Sequence, residues 1–283
     1  MLTDDLRGPA SADAPKDADD RPLVPDRRRV VPPGGGARPM TVADVRLEVG
    51  VATDRAGRTT NEDTALALRG VYVVADGMGG HEAGDVASSM AIDTVRALAG
   101  TTPDLETVRT TLRDAHSRLR DLPSSTGRRP GTTMTGVILT EHEDLPCWIV
   151  LNVGDSRTYR MAGGVLEQVT RDHSEVAELV ASGVVAAEEA ARYPRRHVVT
   201  RVLGGGATEV DPDLWMFPVS PGDRMLVCSD GLTDELTDAR IEAALRATPD
   251  PQDAADRLVG EALAAGGSDN ITAVVVDATL ARA

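Results

Sequence analysis

Val71-Tyr72-Val73-Val74-Ala75-Asp76-Gly77-Met78-Gly79-Gly80 is an apolar, β-branched run that ends abruptly in an acidic, glycine-rich turn. Such a run reads as a strand whose last residue is handed to a loop. Upstream, apolar alternation in Val45-Arg46-Leu47-Glu48-Val49 and in Thr64-Ala65-Leu66-Ala67-Leu68 predicts two more strands. Downstream, helical spacing runs over 83–98 and 105–119, the second opened by Pro103 and Asp104. Strands are predicted again at 133–139, 147–153, 156–161 and 165–169. A helix-rich stretch over 174–192 follows, then strands at 197–203, 210–219 and 224–228, short helices at 238–247 and 251–264, and a last strand at 271–276. Strands in runs, interrupted by helix pairs, lack the βαβ alternation of a parallel sheet. They predict an α+β fold of antiparallel sheets with helices packed outside.

The composition narrows the chemistry. In 283 residues, 30 Lys+Arg stand against 45 Asp+Glu, a formal charge of −15, which disfavours nucleic acid and anionic membrane as partners. Lys16 is the sole lysine and lies in a Pro-rich leader, so P-loop, protein-kinase and Schiff-base chemistry, each needing a placed lysine, drop out. Two cysteines, Cys147 and Cys228, show no metal or redox spacing and indicate a reducing compartment. No run approaches the roughly 18 apolar residues of a membrane span, and MLTDDLRGPA lacks the features of a signal peptide. The expectation is a cytoplasmic monomer. Residues 1–40, with seven prolines, four glycines and balanced charge, are expected to be a disordered tail, and 41–283 one folded domain.

Five acidic motifs fall where predicted strands meet turns: Arg58-Thr59-Thr60-Asn61-Glu62-Asp63, Asp76-Gly77-Met78-Gly79-Gly80, Gly154-Asp155-Ser156-Arg157, Ser229-Asp230-Gly231-Leu232 and Ser268-Asp269-Asn270-Ile271-Thr272. Singly, each reads as an ordinary turn or cap. The glycines from Gly77 do not make a dinucleotide fingerprint, because Glu82 occupies the third glycine position. Gathering Asp76, Asp230 and Asp269 in one cleft would be electrostatically adverse without cations between them. None of the five histidines pairs at i, i+4, so an oxygen-only site for Mg²⁺ or Mn²⁺ is expected.

In this order the five motifs resemble the metal-dependent serine/threonine protein phosphatases of type 2C, and with DGMGGHEAG their bacterial branch, from about Leu47 to Val276. Gly131-Thr132-Thr133, Thr170-Arg171-Asp172-His173-Ser174 and His197-Val198-Val199-Thr200-Arg201-Val202-Leu203-Gly204 agree with the resemblance. It implies a four-layer α/β/β/α sandwich, two central antiparallel sheets flanked by helices, with two Mn²⁺ or Mg²⁺ ions at one edge. On the matching positions Asp76 would bridge both metals and Gly77 would lend its carbonyl to one. Asp230 and Asp269 would hold the other, Glu62 would reach the cluster through water, and Asp63 would brace it. Arg58 would clamp the substrate phosphate, and Asp155 with Asp230 would hold a third, weaker ion. A hydroxide bridging the metals would attack phosphorus in line.

Some relatives carry His where this chain has Met78, which leaves His81 and metal-bound water as alternatives for the general acid. The resemblance places a flap beside the site between Thr170 and Gly206, and the basic segment Tyr193-Pro194-Arg195-Arg196-His197 within it reads either as a phosphoprotein-docking element or as a solvated charge run. Cys228 reads as a small buried hydrophobe. The implied function is hydrolysis of phosphoserine and phosphothreonine on proteins, opposing a bacterial kinase. The alternatives are a catalytically inactive phosphate-recognition module of the same fold and an enzyme for small phosphomonoesters.

Overall fold

The computed structural model describes residues 41–79, 83–122 and 129–280. The leader 1–40 and His81 lie outside them. The strands are β1 (Val45–Asp54), β2 (Asp63–Leu68), β3 (Val71–Met78), β4 (Gly131–Thr132), β5 (Met134–His142), β6 (Leu145–Val153), β7 (Arg157–Ala162), β8 (Val165–Gln168), β9 (Leu203–Gly204), β10 (Asp213–Pro218), β11 (Arg224–Cys228) and β12 (Ile271–Leu280). The helices are α1 (Ala83–Val95), α2 (Leu105–Arg120), α3 (Glu175–Ala181), α4 (Ala187–Ala190), α5 (Asp230–Thr233), α6 (Asp238–Ala247) and α7 (Pro251–Ala265).

Two antiparallel sheets form the centre. One runs β1-β12-β11-β7-β8, and the other β10-β6-β5-β3-β4-β9 with β2 paired to β3. Strand periodicity explains how they stack, since alternate side chains face opposite ways. Along β3, Val71, Val73 and Ala75 pack on Ala87, Ile92 and Leu112 of α1 and α2, whereas Tyr72 and Val74 meet Val227, Val274 and Val276 of the opposite sheet. On the far side, Leu226, Cys228, Ala273 and Val275 face Ile241, Leu258 and Ala262 of α6 and α7. The result is three apolar layers between four structural ones, the α/β/β/α sandwich that the resemblance implied. Cys147 and Cys228 are both buried and unpaired, Cys228 completely so.

Four predicted elements come out differently. The alternation over 197–203 yields only the two residues of β9 and an isolated bridge between Ser174 and Val199. Its backbone is engaged elsewhere, since Glu175 N–H donates to the Val198 carbonyl and Thr200 N–H to that of His173. The strand expected from Val210 begins after Pro212, whose ring leaves no N–H for a ladder. The strand expected at 133–139 starts one residue later, at Met134, because the Thr133 N–H bonds the Asp76 carbonyl. The helix-rich stretch divides into α3 and α4, separated by Gly183 at φ +74°, a left-handed conformation that a helix cannot propagate.

Candidate active site

One edge of the sandwich collects the acidic motifs. Asp63 and Asp76 are register partners on β2 and β3, so pairing alone sets their side chains next to each other on one face. Asp230 opens α5 just past the end of β11, and Asp269 precedes β12, which pairs with β11. The ends of two sheets therefore bring together four carboxylates that are far apart in sequence.

Short polar side chains lock the arrangement. Ser229 Oγ donates to Asp63 Oδ2 at 2.7 Å and accepts the Thr272 N–H at 3.0 Å. Asn270 closes the loop that carries Arg58. Its Nδ2 donates to the carbonyls of Arg55 and Thr60 at 3.1 and 2.9 Å, and its Oδ1 accepts the Glu62 N–H at 2.8 Å. Thr133 Oγ1 accepts the Asp76 N–H at 3.1 Å, and Thr132 Oγ1 donates to the Asp76 carbonyl at 2.8 Å. Gly77 is required by close packing: a Cβ there would stand 2.1 Å from the Gly84 carbonyl oxygen, and one on Gly84 would stand 2.5 Å from Glu62 Oε2.

The cleft above this edge has a volume of about 780 Å³, and Arg58, Glu62, Asp76, Asp155, Asp230 and Asp269 line it together with Gly77. Asp63 stands behind it, bonded to Ser229. Arg58 lies at the rim with 57% of its side chain exposed and reaches Asp269 Oδ2 at 2.5 Å. An ion pair this open is worth roughly 0–1 kcal/mol, so a phosphate can take over the guanidinium at small cost.

Electrostatically the edge is under tension. Burial, then repulsion from Asp230, Asp63, Asp155 and Asp269, holds the Asp76 carboxyl well above its ordinary range. Burial likewise pushes Asp63 up to about 7 and Asp230 to about 6, with neighbouring carboxylates adding to both. Asp155 is raised by burial and by Asp230. Asp63 Oδ1 and Asp230 Oδ1 are buried without a hydrogen-bond partner, the state of oxygens arranged for a cation rather than for a donor. The donor set fits a hard divalent ion such as Mg²⁺ or Mn²⁺.

One residue at the site, Asp234, was missed from the sequence, and a second, His197, was expected beside the site but not as a ligand. Asp234 and the flap residue His197 come together beside Asp230, with ligand atoms of the three within 4.8 Å of one another, so the rim includes a nitrogen and is not purely oxygen. Asp234 follows Asp230 by one helical turn, a spacing legible in Asp230-Gly231-Leu232-Thr233-Asp234. His197 was expected in the flap beside the site, and the path of that segment brings its ring onto Asp234. Arg196 also lines the cleft and lies 3.9 Å from Asp234.

The sequence profile described as Protein phosphatase 2C matches residues 54–264. The serine/threonine phosphatase stp of Listeria monocytogenes is 34% identical over 240 residues, which are 81% of this chain and 91% of that one. The PPM Ser-Thr phosphatase MsPP of Mycobacterium smegmatis, solved in complex with cacodylate, superposes with a TM-score of 0.74 at 39% identity, over 81% of this chain and 97% of that one. The catalytic domain of the phosphatase PstP, solved with two manganese ions, superposes with a TM-score of 0.71 at 34% identity, over 83% of this chain and 99% of that one. A carboxylate-lined edge on this sandwich defines a phosphatase of the 2C type, and the chain belongs to the protein phosphatase 2C family. It is a serine/threonine protein phosphatase. Among the described residues no helix is long and apolar enough to cross a membrane.

The raised carboxyl groups make the metal-free protein sensitive to pH. Asp63 and Asp230 hold protons in the folded state up to about 7 and 6, whereas in the unfolded chain they release them near the ordinary carboxylate value of 3.8. Between these values the folded state binds more protons, so its stability falls as pH rises. Thermal melts in chelator are expected to show a Tm that declines from pH 5 to pH 8. Excess Mn²⁺ should raise Tm most at the upper end, since an ion bound only by the folded state stabilises it. A chelated protein with a flat or rising profile would contradict this account.

Proposed function

We propose that this phosphatase hydrolyses phosphoserine and phosphothreonine on proteins in a metal-dependent reaction whose nucleophile is a water activated between two divalent ions, and that it opposes a serine/threonine kinase. The observation that carries the reading is the convergence of Asp76, Asp230, Asp269 and Arg58 on one cleft. When bound, Mn²⁺ or Mg²⁺ would supply Lewis acidity, acidifying water and drawing charge from the phosphoryl oxygens.

The chain's own residues do the rest. Asp76 would bridge the two ions, with the Gly77 carbonyl on one of them and Asp230 and Asp269 on the other. Glu62 would act through water. Asp63, held by Ser229, would keep the cluster oriented. Arg58 would leave Asp269 to fork onto the substrate phosphate, giving charge-assisted hydrogen bonds that strengthen as charge moves onto the phosphoryl oxygens. Asp155 with Asp230 would hold a third, weaker ion. The substrate is a segment of phosphoprotein that reaches the cleft beside the flap, where Arg196 and His197 line it. We assign the catalytic domain to residues 41–283, acting as a cytoplasmic monomer for which the leader 1–40 is dispensable.

Asp76→Ala removes the shared ligand and is expected to abolish turnover of a phosphothreonine peptide, as chelator should do reversibly; residual activity near wild type in either case would defeat the two-metal reading. For Arg58→Ala the expected loss is about 1.5–3 kcal/mol, roughly ten- to 150-fold in kcat/KM, with metal affinity little changed. Steady-state kinetics beside calorimetric metal titration checks both halves of that statement. Deleting residues 1–40 should leave Tm and peptide turnover as they are, and a clear fall in either would assign the leader to the domain.

A further inference from the structure

The loop that carries Asp155 is clamped at both ends by consecutive residues at the foot of the flap. At one end, Gly154 N–H donates to His173 Nδ1 at 3.1 Å, and His173 N–H returns to the Gly154 carbonyl at 2.9 Å. The same carbonyl accepts Asn152 Nδ2 at 3.0 Å. At the other end, Arg157 forks onto the Asp172 carboxylate, with contacts of 3.0 and 2.7 Å. There is no slack sideways, because Gly154, at φ +112°, packs so closely that a Cβ would lie 2.5 Å from Thr133 Cγ2. Thr133 in turn holds the Asp76 N–H.

The His173 ring is only 5% exposed, and its two nitrogens have separate tasks. Since Nδ1 accepts a backbone N–H, the proton of the neutral ring is on Nε2. That atom lies 3.2 Å from Asp213 Oδ2 and helps to hold the Asp213 carboxyl below its ordinary range, and the other oxygen of Asp213 is held by Arg201 at 2.8 Å. The next residue, Ser174, caps α3. The far end of the flap returns to the same place, with Thr200 N–H on the His173 carbonyl at 2.8 Å.

We infer that His173 is a positioning residue: its Nδ1 fixes the Gly154–Asp155 peptide so that the Asp155 carboxylate stands poised for the third ion, and its place at the foot of the flap ties that loop to both flap ends. The inference rests on the reading of Asp155 as a metal ligand. A structural histidine that merely fills space would tolerate any side chain of similar size. A positioning one depends on the acceptor facing Gly154.

Two substitutions separate these roles. In His173→Asn, Oδ1 falls where Nδ1 stands and can still accept from Gly154; in His173→Gln the polar end reaches toward Asp213 and the acceptor is lost. With the full chain, His173→Gln should weaken the Asp155-dependent phase of a calorimetric Mn²⁺ titration by about tenfold or more, the usual effect of removing a group that orients a ligand. It should also speed hydrogen exchange at the Gly154 amide in the metal-free protein. His173→Asn should restore both. An unchanged weak phase in His173→Gln, or equal weakening in both variants with matching falls in Tm, would overturn the inference. Asp155→Ala separates its failure from that of the metal reading. If this variant keeps the weak phase, Asp155 is no ligand and the inference falls with it; if it loses the phase while His173→Gln keeps it, the fault lies with His173 alone.

Discussion

Mutual repulsion among buried carboxylates is the constraint that the rest of this molecule serves. Asp63, Asp76, Asp155 and Asp230 each resist ionisation, chiefly because burial strips them of water and then because each faces the others. A flexible scaffold would let them drift apart, since separating like charges in a medium of low polarisability is strongly favourable. Here the ends of two stacked sheets prevent it. Ser229 ties the β11 end to Asp63, and Asn270 ties the Arg58 loop to the start of β12. The rigidity of the sandwich is thus what keeps the unfavourable edge assembled until cations relieve it.

The layering also explains why the site is at an edge and not on a face. Both faces of both sheets are committed to apolar packing, with β3 alone serving the helix layer and the inter-sheet layer through alternate residues. Polar chemistry can appear only where strands run out. Asp76 falls near the end of β3 and Asp230 just after β11, so a change from β-branched residues to Asp-Gly marks both the end of a strand and a part of the site.

That coincidence is why so much was legible. Val71–Ala75 announced a strand through its apolar run, and the Asp-Gly that followed announced its end; the same two signals recur at Val227-Cys228-Ser229-Asp230-Gly231. The order of five such motifs then supported the resemblance that the comparisons bear out. What was not legible depends on contacts that leave no local pattern. Val198, Val199 and Val202 suggested a strand, yet the backbone there bonds to the foot of the flap rather than to a continuing ladder. His197 reaches Asp234 only through that path. The clamp on Asp155 joins residues at 154, 157, 172 and 173, and nothing in their spacing distinguishes it from two unrelated turns.

Cys228 lies two residues before Asp230, fully buried on β11, and burial pushes its thiol up to about 12. In the closed protein it is therefore neither ionised nor within reach of a reagent. Alkylation can proceed only when β11 lifts from its neighbours, which makes the labelling rate a clock for the opening of the strand that presents Asp230. With Cys147 on β6 in the other sheet, the chain carries one such clock in each half of the sandwich. The two sheets can thus be timed separately, without introducing any probe.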